Sequence, residues 1–270
     1  MKGAVGETLP SRICLYSGCD REQFDLQELR AFLASSVGGC RVELREDFLR
    51  LWTACLNEEA EAEAVAGAIA RARVKQPHEP TGSKDPLPGE VDYERRFLRA
   101  GSEKPGGLLY DGEKLLRTFA SLLPADEIGR HACHIVLTEQ LVGTWDEHNQ
   151  RYHARVAVFG VPTIISASGL VEGPAKPKEV YLARQMGLRR AEPASGGRQD
   201  CLDYHDPRRQ EALKGYLLQA VFYHVTGDPF CEDVSCRLYN AHWQEELIAA
   251  QIGPDAGLCE RHRNMLEAWT

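Results

Sequence analysis

Apolar and polar residues alternate along the first part of this chain in periods that predict strands and helices in succession. Residues 12–18, RICLYSG, form an apolar run of strand length, and residues 40–47, CRVELRED, alternate with a period of two. Between these two runs, apolar residues recur at helical spacing from Leu26 to Leu33, and a Gly-Gly pair follows. The pattern therefore predicts strand, helix and strand.

Longer periodic segments follow this first unit. Helical periodicity runs from Phe48 to Val74, and residues 75–90, KQPHEPTGSKDPLPGE, contain four prolines that predict a surface loop or linker. Further apolar runs predict strands at residues 134–141, 151–160 and 163–168. Helical periodicity predicts helices near residues 92–100, 112–122, 178–188 and 207–227.

This order of elements predicts an α/β or α+β fold with a mixed sheet and long helices. The Pro-rich segment suggests a division of the chain into four parts. These are an N-terminal α/β half (1–74), the loop or linker (75–90), a core (91–230) and a C-terminal segment (231–270).

Composition and charge limit the classes of function. The chain has 270 residues, of which 43% are hydrophobic and 27% charged, as in a globular protein with a sizeable core. Its net charge of −8 argues against a general nucleic-acid or membrane-surface binder. The sequence has no long apolar run, and six of its nine cysteines are scattered before three cluster near the carboxyl end, unlike a secreted disulfide framework, so we expect a cytoplasmic protein.

Four residues near the carboxyl end have the spacing of a metal site. Cys231 and Cys236 form a C-x4-C pair, and Cys259 and His262 form a C-x2-H pair after a longer excursion. Two short-spaced ligand pairs supply a tetrahedral zinc ion with three thiolates and one imidazole. We expect a structural site, because four protein ligands leave no open position for water. Buried free cysteines beside a surface histidine are the alternative.

The helix before this cluster carries a histidine close to its end. His224 continues the apolar face of the predicted helix, where a histidine is usually a hydrogen-bonded core residue. Gly227 is a suitable residue for ending the helix, and Pro229 prevents its continuation. The chain is therefore expected to turn sharply between the histidine and Cys231.

In this segment the chain resembles the archaemetzincins, zinc peptidases whose active helix carries H-E-x-x-H-x-x-G-x-x-H followed by cysteines. The resemblance places His224 on the second histidine, Gly227 on the glycine and Cys231 on the first cysteine. It implies a metzincin-like core over residues 91–230, a zinc-pinned C-terminal subdomain and relationship to metallopeptidases, which are hydrolases.

Three groups of that motif are replaced. Ala220 stands at the first histidine, Val221 at the glutamate and Phe230 at the third histidine. A metzincin holds its catalytic zinc with three imidazoles and uses the glutamate as general base. Alanine and valine can do neither, so we expect that the standard mechanism of the family is lost.

A replacement catalytic centre is conceivable from other residues. His224, His153 and either His205 or Asp206 would rebuild an open three-ligand zinc site if the fold brought them together. His131 and His134 would share a face if the sequence HACH were helical. A cysteine nucleophile at Cys133 or Cys201 is a further, weaker alternative.

Two hypotheses for function follow. The first is an archaemetzincin-like protein with a structural zinc, which either binds a peptide without cleaving it or cleaves through a rearranged metal centre. Its edge strand around Arg151 to Phe159 would then bind a peptide or protein segment by strand addition. The second is a zinc-stabilised interaction module without a catalytic role.

Overall fold

The computed structural model describes residues 8–20, 22–56, 59–81, 85–100, 108–186 and 201–269. The strands within these residues are β1 (Arg12–Gly18), β2 (Arg41–Arg45), β3 (Leu109–Asp111), β4 (Ala132–Thr138), β5 (Leu141–Asp146), β6 (Arg151–Arg155), β7 (Ala157–Val158) and β8 (Thr163–Ser166). The helices are α1 (Leu26–Ser36), α2 (Phe48–Thr53), α3 (Glu59–Arg71), α4 (Pro88–Ala100), α5 (Gly112–Leu122), α6 (Gly169–Glu172), α7 (Lys178–Gln185), α8 (Arg209–Thr226), α9 (Gln244–Ile252) and α10 (Glu260–Trp269). This succession of helices and strands is the mixed α/β fold that the sequence predicts.

Two sheets organise the fold. The larger has the strand order β2-β1-β4-β8-β7, in which the first four strands are parallel and β7 is an antiparallel edge strand. The smaller has the order β3-β5-β6, with β3 parallel and β6 antiparallel to β5. Because β1 pairs with β4, residues on both sides of the Pro-rich segment share one sheet.

The central strands are buried on both faces, as strands of a parallel sheet usually are. Ile13 and Leu15 of β1 point into a core that also contains Leu213 and Leu217 of α8. Tyr16 points the opposite way, into a second core that it shares with residues of α2, α3 and α5. The alternation along β1 thus places the sheet between two hydrophobic layers.

Two predicted strands each divide between the two sheets. The run at residues 134–141 belongs to β4 as far as Thr138, and the chain then turns and enters β5 at Leu141. The run at residues 151–160 passes from β6 of the smaller sheet into β7 of the larger one. Apolar runs could not show these changes, because both sheets bury the same kinds of residue.

The predicted helix from Phe48 to Val74 is interrupted, which corrects the prediction. The chain forms α2 and then α3, and residues 57 and 58 lie outside the described residues. At the end of α2 the amides of Cys55 and Leu56 bond to carbonyls three residues earlier, 3.2 Å away in each case. This tighter hydrogen-bonding pattern ends the helix although the apolar periodicity continues.

The segment at residues 75–90 packs on the smaller sheet over part of its length. The carbonyl of Pro77 accepts a hydrogen bond from the amide of Tyr152 at 2.7 Å, and Thr81 Oγ1 donates to Asp111 at 2.7 Å. Residues 82–84 lie outside the described residues, and α4 begins at Pro88. Among the described helices, none is long and apolar enough to cross a membrane.

Candidate metal centre

The first ligand pair lies in a tight loop directly after α8. The amide of Cys231 donates to the carbonyl of Leu238 at 2.9 Å, and the amide of Cys236 donates to the carbonyl of Asp233 at 3.0 Å. The carboxylate of Asp233 accepts further bonds from the amide and hydroxyl of Ser235. These bonds close the short excursion between the two cysteines and turn both side chains to the same side.

The second pair sits where α10 begins. Cys259 precedes the helix, and His262 lies in its first turn, so the C-x2-H spacing directs both side chains to one face. The amide of Arg237 donates to the carbonyl of Gly257 at 2.8 Å, which joins the two ligand loops beside the cluster. The segment between the two ligand pairs therefore brings Cys259 and His262 back beside Cys231 and Cys236.

The four ligand atoms form a compact group, all within 4.8 Å of one another. Cys231 Sγ lies 3.9 Å from Cys259 Sγ, and His262 Nδ1 lies 3.7 Å from Cys236 Sγ and 3.1 Å from Cys259 Sγ. Zn–S bonds of about 2.3 Å at tetrahedral angles separate two sulfurs by about 3.8 Å. The residues present therefore fit a tetrahedral ion such as zinc.

Because Cys231 is partly buried and Cys236 is fully buried, their thiols lose their protons only when a cation is near. It raises the pKa of Cys231 and raises that of Cys236 to about 12, so both thiols stay protonated near neutral pH unless a positive charge approaches. Burial also opposes ionisation of Cys259, but hydrogen bonds from the His262 backbone and the Cys236 side chain hold its pKa below the usual value. Burial, aided by Arg261, lowers the pKa of His262, which keeps the imidazole in its neutral, ligating form.

The cluster is tied to α8 through packing and buried amides. The ring of Phe222 on α8 contacts His262 edge-on at 5.2 Å and Trp269 at 4.9 Å between centroids. Gln219 and Gln251 both donate to the carbonyl of Arg237, next to Cys236, at 3.4 and 2.8 Å. A metal held by the four ligands would therefore fasten α10 and its preceding loop to α8.

Two of the replaced motif positions lie on the buried surface of α8. Ala220 and Val221 are completely buried. His224 is only half-buried; its Nε2 lies 3.1 Å from the carbonyl of Arg130, and burial lowers its pKa. The helix ends at Gly227 with a φ of 80°, a left-handed conformation that glycine adopts without strain, and Pro229 follows. His224 thus behaves as a hydrogen-bonded packing residue.

Phe230, at the position of the third motif histidine, belongs to an aromatic group at the edge of the larger sheet. Its ring meets Phe159 edge-on at 5.5 Å, and Phe159 lies 5.4 Å from Tyr223 of α8. Phe230 remains 38% exposed. We call Phe159, Tyr223 and Phe230 the aromatic cluster; it joins the residue after β7 to the end of α8.

The hypothesis of a rearranged centre is not supported by the positions of its residues. His205 and Asp206 precede α8 and His224 lies in its last turn, so the helix between Arg209 and His224 separates them by about 22 Å. Asp206 pairs with Arg208 at 2.7 Å. His153 lies on β6, where its Nε2 is 3.4 Å from Asp146. Among the described residues these side chains do not form a group that could hold one ion.

A nucleophile at Cys133 and a helical histidine pair also meet structural obstacles. Cys133 lies within the core on β4, and burial raises the pKa of its thiol far above the usual value, which makes it a poor nucleophile. Cys201 is partly exposed and forms no disulfide. The sequence HACH is not helical, since it enters β4, so the condition under which His131 and His134 would share a helical face is not met.

A second group of potential ligands was not predicted. Cys14 Sγ, a carboxylate oxygen of Glu127 and a ring nitrogen of His134 lie within 4.8 Å of one another. The parallel register of β1 and β4 places Cys14 beside His134, and a short 3-10 helix, Ala125–Glu127, supplies the carboxylate. The period of two in β1, which carries Arg12, Cys14 and Tyr16 on one face, was the available signal.

This second group is already saturated by hydrogen bonds. His134 Nδ1 lies 2.9 Å from the hydroxyl of Tyr16, and Nε2 lies 2.8 Å from the carbonyl of Glu127, so neither ring nitrogen is free for a metal. Arg12 and Arg45 pair with the Glu127 carboxylate at 3.1 and 3.2 Å. Two guanidinium groups already neutralise that carboxylate, and the group is a buried polar network.

Comparisons with known proteins identify the family to which the chain belongs. No curated protein matches it. The crystal structure of archaemetzincin (amzA) from Methanopyrus kandleri is similar with a TM-score of 0.47 and 12% sequence identity, over 97% of this chain and 96% of that one. A family described as a probable metallopeptidase family matches residues 9–269. The chain therefore belongs to the Probable metallopeptidase family (DUF6775).

Proposed function

We propose that this protein binds one structural zinc ion at Cys231, Cys236, Cys259 and His262 and that it binds peptides without cleaving them. The observation that carries the first part is the convergence of four ligand atoms within 4.8 Å. Three sulfurs and one ring nitrogen are the donor set of a closed structural zinc site. Such an ion contributes to folding and leaves no coordination position for a reactive water.

The loss of cleavage is inferred from α8. The positions of the ligating histidine and the general base are filled by Ala220 and Val221, which are buried and have no group that ligates metal or accepts a proton. His224 is engaged with the Arg130 carbonyl at 3.1 Å. Hydrolysis by the metzincin mechanism requires a metal-bound water and a carboxylate beside it. The described part of this helix supplies neither.

Peptide binding is proposed for the edge of the larger sheet. β7 is an antiparallel edge strand, and such strands can pair with an extended segment through backbone hydrogen bonds. The aromatic cluster lies directly after β7 and includes the partly exposed ring of Phe230. An apolar side chain of a bound segment would pack on that ring while its backbone pairs with Ala157 and Val158.

A reducing compartment, such as the cytoplasm, is part of this proposal. All nine cysteines lie among the described residues and none forms a disulfide, and Cys55 is exposed. Thiolate ligands and unpaired cysteines persist in the cytoplasm, where thiols are kept reduced.

Metal stoichiometry tests the first part. We expect elemental analysis of the purified full-length chain to give one zinc per molecule. His262→Ala should lose that zinc, and His224→Ala should retain it, because His224 lies outside the cluster. Two zinc ions per chain, with one lost in His224→Ala, would contradict the proposal and indicate a catalytic centre.

Peptide assays test the second part. A library of quenched fluorescent peptides with added zinc should show no cleavage above the His224→Ala control. The same library, screened for binding by fluorescence anisotropy, should yield ligands that weaken at least tenfold with Phe230→Ala. If no peptide binds, a zinc-stabilised interaction module without a peptide cleft is favoured instead. Zinc-dependent cleavage abolished by His224→Ala would refute the non-cleaving role.

A further inference from the structure

The four ligands of the candidate metal centre differ in their access to solvent. Cys236 is 0% exposed and His262 is 3% exposed, whereas Cys231 and Cys259 are partly exposed. An open pocket of about 520 Å³ borders the cluster, and the described residues that line it include Cys231 and Cys259. Small molecules in solution can therefore approach two of the four ligands through this pocket.

The two accessible sulfurs are also close to each other. Cys231 Sγ and Cys259 Sγ are 3.9 Å apart, and a disulfide requires about 2.0 Å, so about 2 Å of combined movement would join them. Each residue lies in a loop and not within a helix: Cys231 follows α8, and Cys259 precedes α10. Side-chain rotation and a small shift of the loop before α10 would together supply this movement.

We propose that Cys231 and Cys259 form a peroxide-sensitive pair whose oxidation to a disulfide releases the zinc ion. This inference rests on the proposed function, because it assumes that the four ligands hold zinc. The oxidant is a small hydroperoxide such as hydrogen peroxide. The buried ligands, Cys236 and His262, take no part in the reaction.

The chemistry balances with one peroxide per pair. One sulfur attacks a peroxide oxygen, the O–O bond breaks, and a sulfenic acid forms with release of one water. The second sulfur then attacks the first, an S–S bond forms, the S–O bond breaks, and a second water leaves. The two sulfurs lose two electrons in total and the peroxide gains them. The two protons needed for the two waters come from the thiols or, where these are already thiolates, from solvent.

Loss of this pair removes half of the ligand set. Cys236 and His262 alone cannot enclose a tetrahedral ion, so the ion should dissociate. The packing of Phe222 on His262 and Trp269 would remain, but α10 would lose the metal link to the loop after α8. We expect the end of the chain to become more mobile without global unfolding.

The test uses the zinc-loaded full-length protein. Equimolar to tenfold hydrogen peroxide should release one zinc per chain, measured with a colorimetric chelator. Mass spectrometry after alkylation should show the loss of two hydrogens and a peptide that links Cys231 with Cys259. Dithiothreitol followed by zinc should restore both the mass and the metal content. The variant Cys55→Ser, which removes an exposed thiol elsewhere, should respond like the wild type.

Several results would overturn the proposal that Cys231 and Cys259 form a peroxide-sensitive pair. These are retention of zinc under peroxide, a link that involves Cys236, or oxidation of Cys231 or Cys259 to sulfinic acid without a link. Failure of the proposed function is distinguishable: a chain that binds no zinc refutes the metal site, while the presence or absence of the peroxide-induced link in that chain still tests the pair. The mapping is done on wild-type protein, so its outcome does not depend on the folding of a ligand variant.

Discussion

In the described part of the chain, two regions gather a thiol and an imidazole within 4.8 Å, yet only one of them suits a metal ion. Near the carboxyl end, His262 Nδ1 faces two sulfur atoms, at 3.7 and 3.1 Å. In the sheet, both nitrogens of His134 are hydrogen-bonded and Arg12 and Arg45 hold Glu127. Proximity of donor atoms is therefore insufficient; their lone pairs must also be available.

The chemical consequence differs in the same way. In the C-terminal cluster, ionised thiolates need a cation, because burial raises the pKa of Cys236 to about 12. In the sheet, burial raises the pKa of Cys14 to about 11 and that of Tyr16 to about 12. Arg45 and its carboxylate partners already balance the charge there. The first region is completed by an added ion and the second by residues of the chain.

The largest expected effect is the difference in zinc binding and stability between substitution of Cys236 in the metal centre and of Cys14 in the sheet. Cys236→Ala should abolish zinc binding and lower the free energy of unfolding by several kcal/mol, since binding of a structural metal contributes to folding. Cys14→Ala should leave one zinc per chain and cost about 1 to 2 kcal/mol for the small cavity that it creates. Elemental analysis and urea unfolding measure both. Equal zinc content in the two variants would contradict the comparison.

The next effect concerns the charges of the polar network. Arg45→Met removes the guanidinium that bonds to Tyr16 at 3.1 Å and pairs with Glu43 and Glu127. It leaves Glu127 with Arg12 alone and Glu43 with the exposed Arg41 alone, so we expect a loss of about 2 kcal/mol in the free energy of unfolding. The matched variant Arg41→Met, whose side chain is 80% exposed, should cost less than about 0.5 kcal/mol. Zinc content should not change in either variant, and a loss of metal would link the two regions.

A smaller effect should appear as pH dependence. Burial, despite hydrogen bonding to Glu127, lowers the pKa of His134 below its unfolded value of about 6.5. A depressed folded pKa means that the unfolded chain binds the proton first, so stability is present above about pH 6.5 and is lost as the pH falls towards the folded pKa. The slope from this residue is at most about 1.4 kcal/mol per pH unit.

His134→Gln should remove that part of the slope. Urea unfolding at pH 7, 6 and 5 would measure it as the difference between the variant and the wild type, since the other histidines are the same in both. His148→Gln, on an exposed turn, is the control. An unchanged slope in His134→Gln would mean that the network tolerates the charged imidazole.

The smallest effect concerns the amides that hold the loop of Cys236. Gln251 donates to the Arg237 carbonyl at 2.8 Å, and Gly215 leaves space for it, because a Cβ there would lie 1.6 Å from Gln251 Oε1. Gln251→Ala should weaken zinc binding about tenfold, as supporting contacts around metal ligands do. Competition with a chelator measures this. Gln27→Ala, on the exposed face of α1, should bind zinc like the wild type.

The sequence allowed much of the fold to be predicted where periodicity was strong and local. β1 coincides with the run RICLYSG, and α8 lies within the predicted helix at 207–227, ending before Gly227 as expected. Predictions failed where the chain changed its partner without changing its pattern. The passages from β4 to β5 and from β6 to β7 are examples, because a strand looks the same in either sheet.

The sequence by itself also determined the candidate metal set, because two short-spaced pairs need only one return of the chain to converge. It equally determined that α8 carries Ala220 and Val221 in place of a metal ligand and a base. Only the tertiary structure decided that both ring nitrogens of His134 are hydrogen-bonded, to Tyr16 and to the carbonyl of Glu127. Long-range neighbours depend on the register of strands and the path of the chain, and no local period along a sequence encodes these.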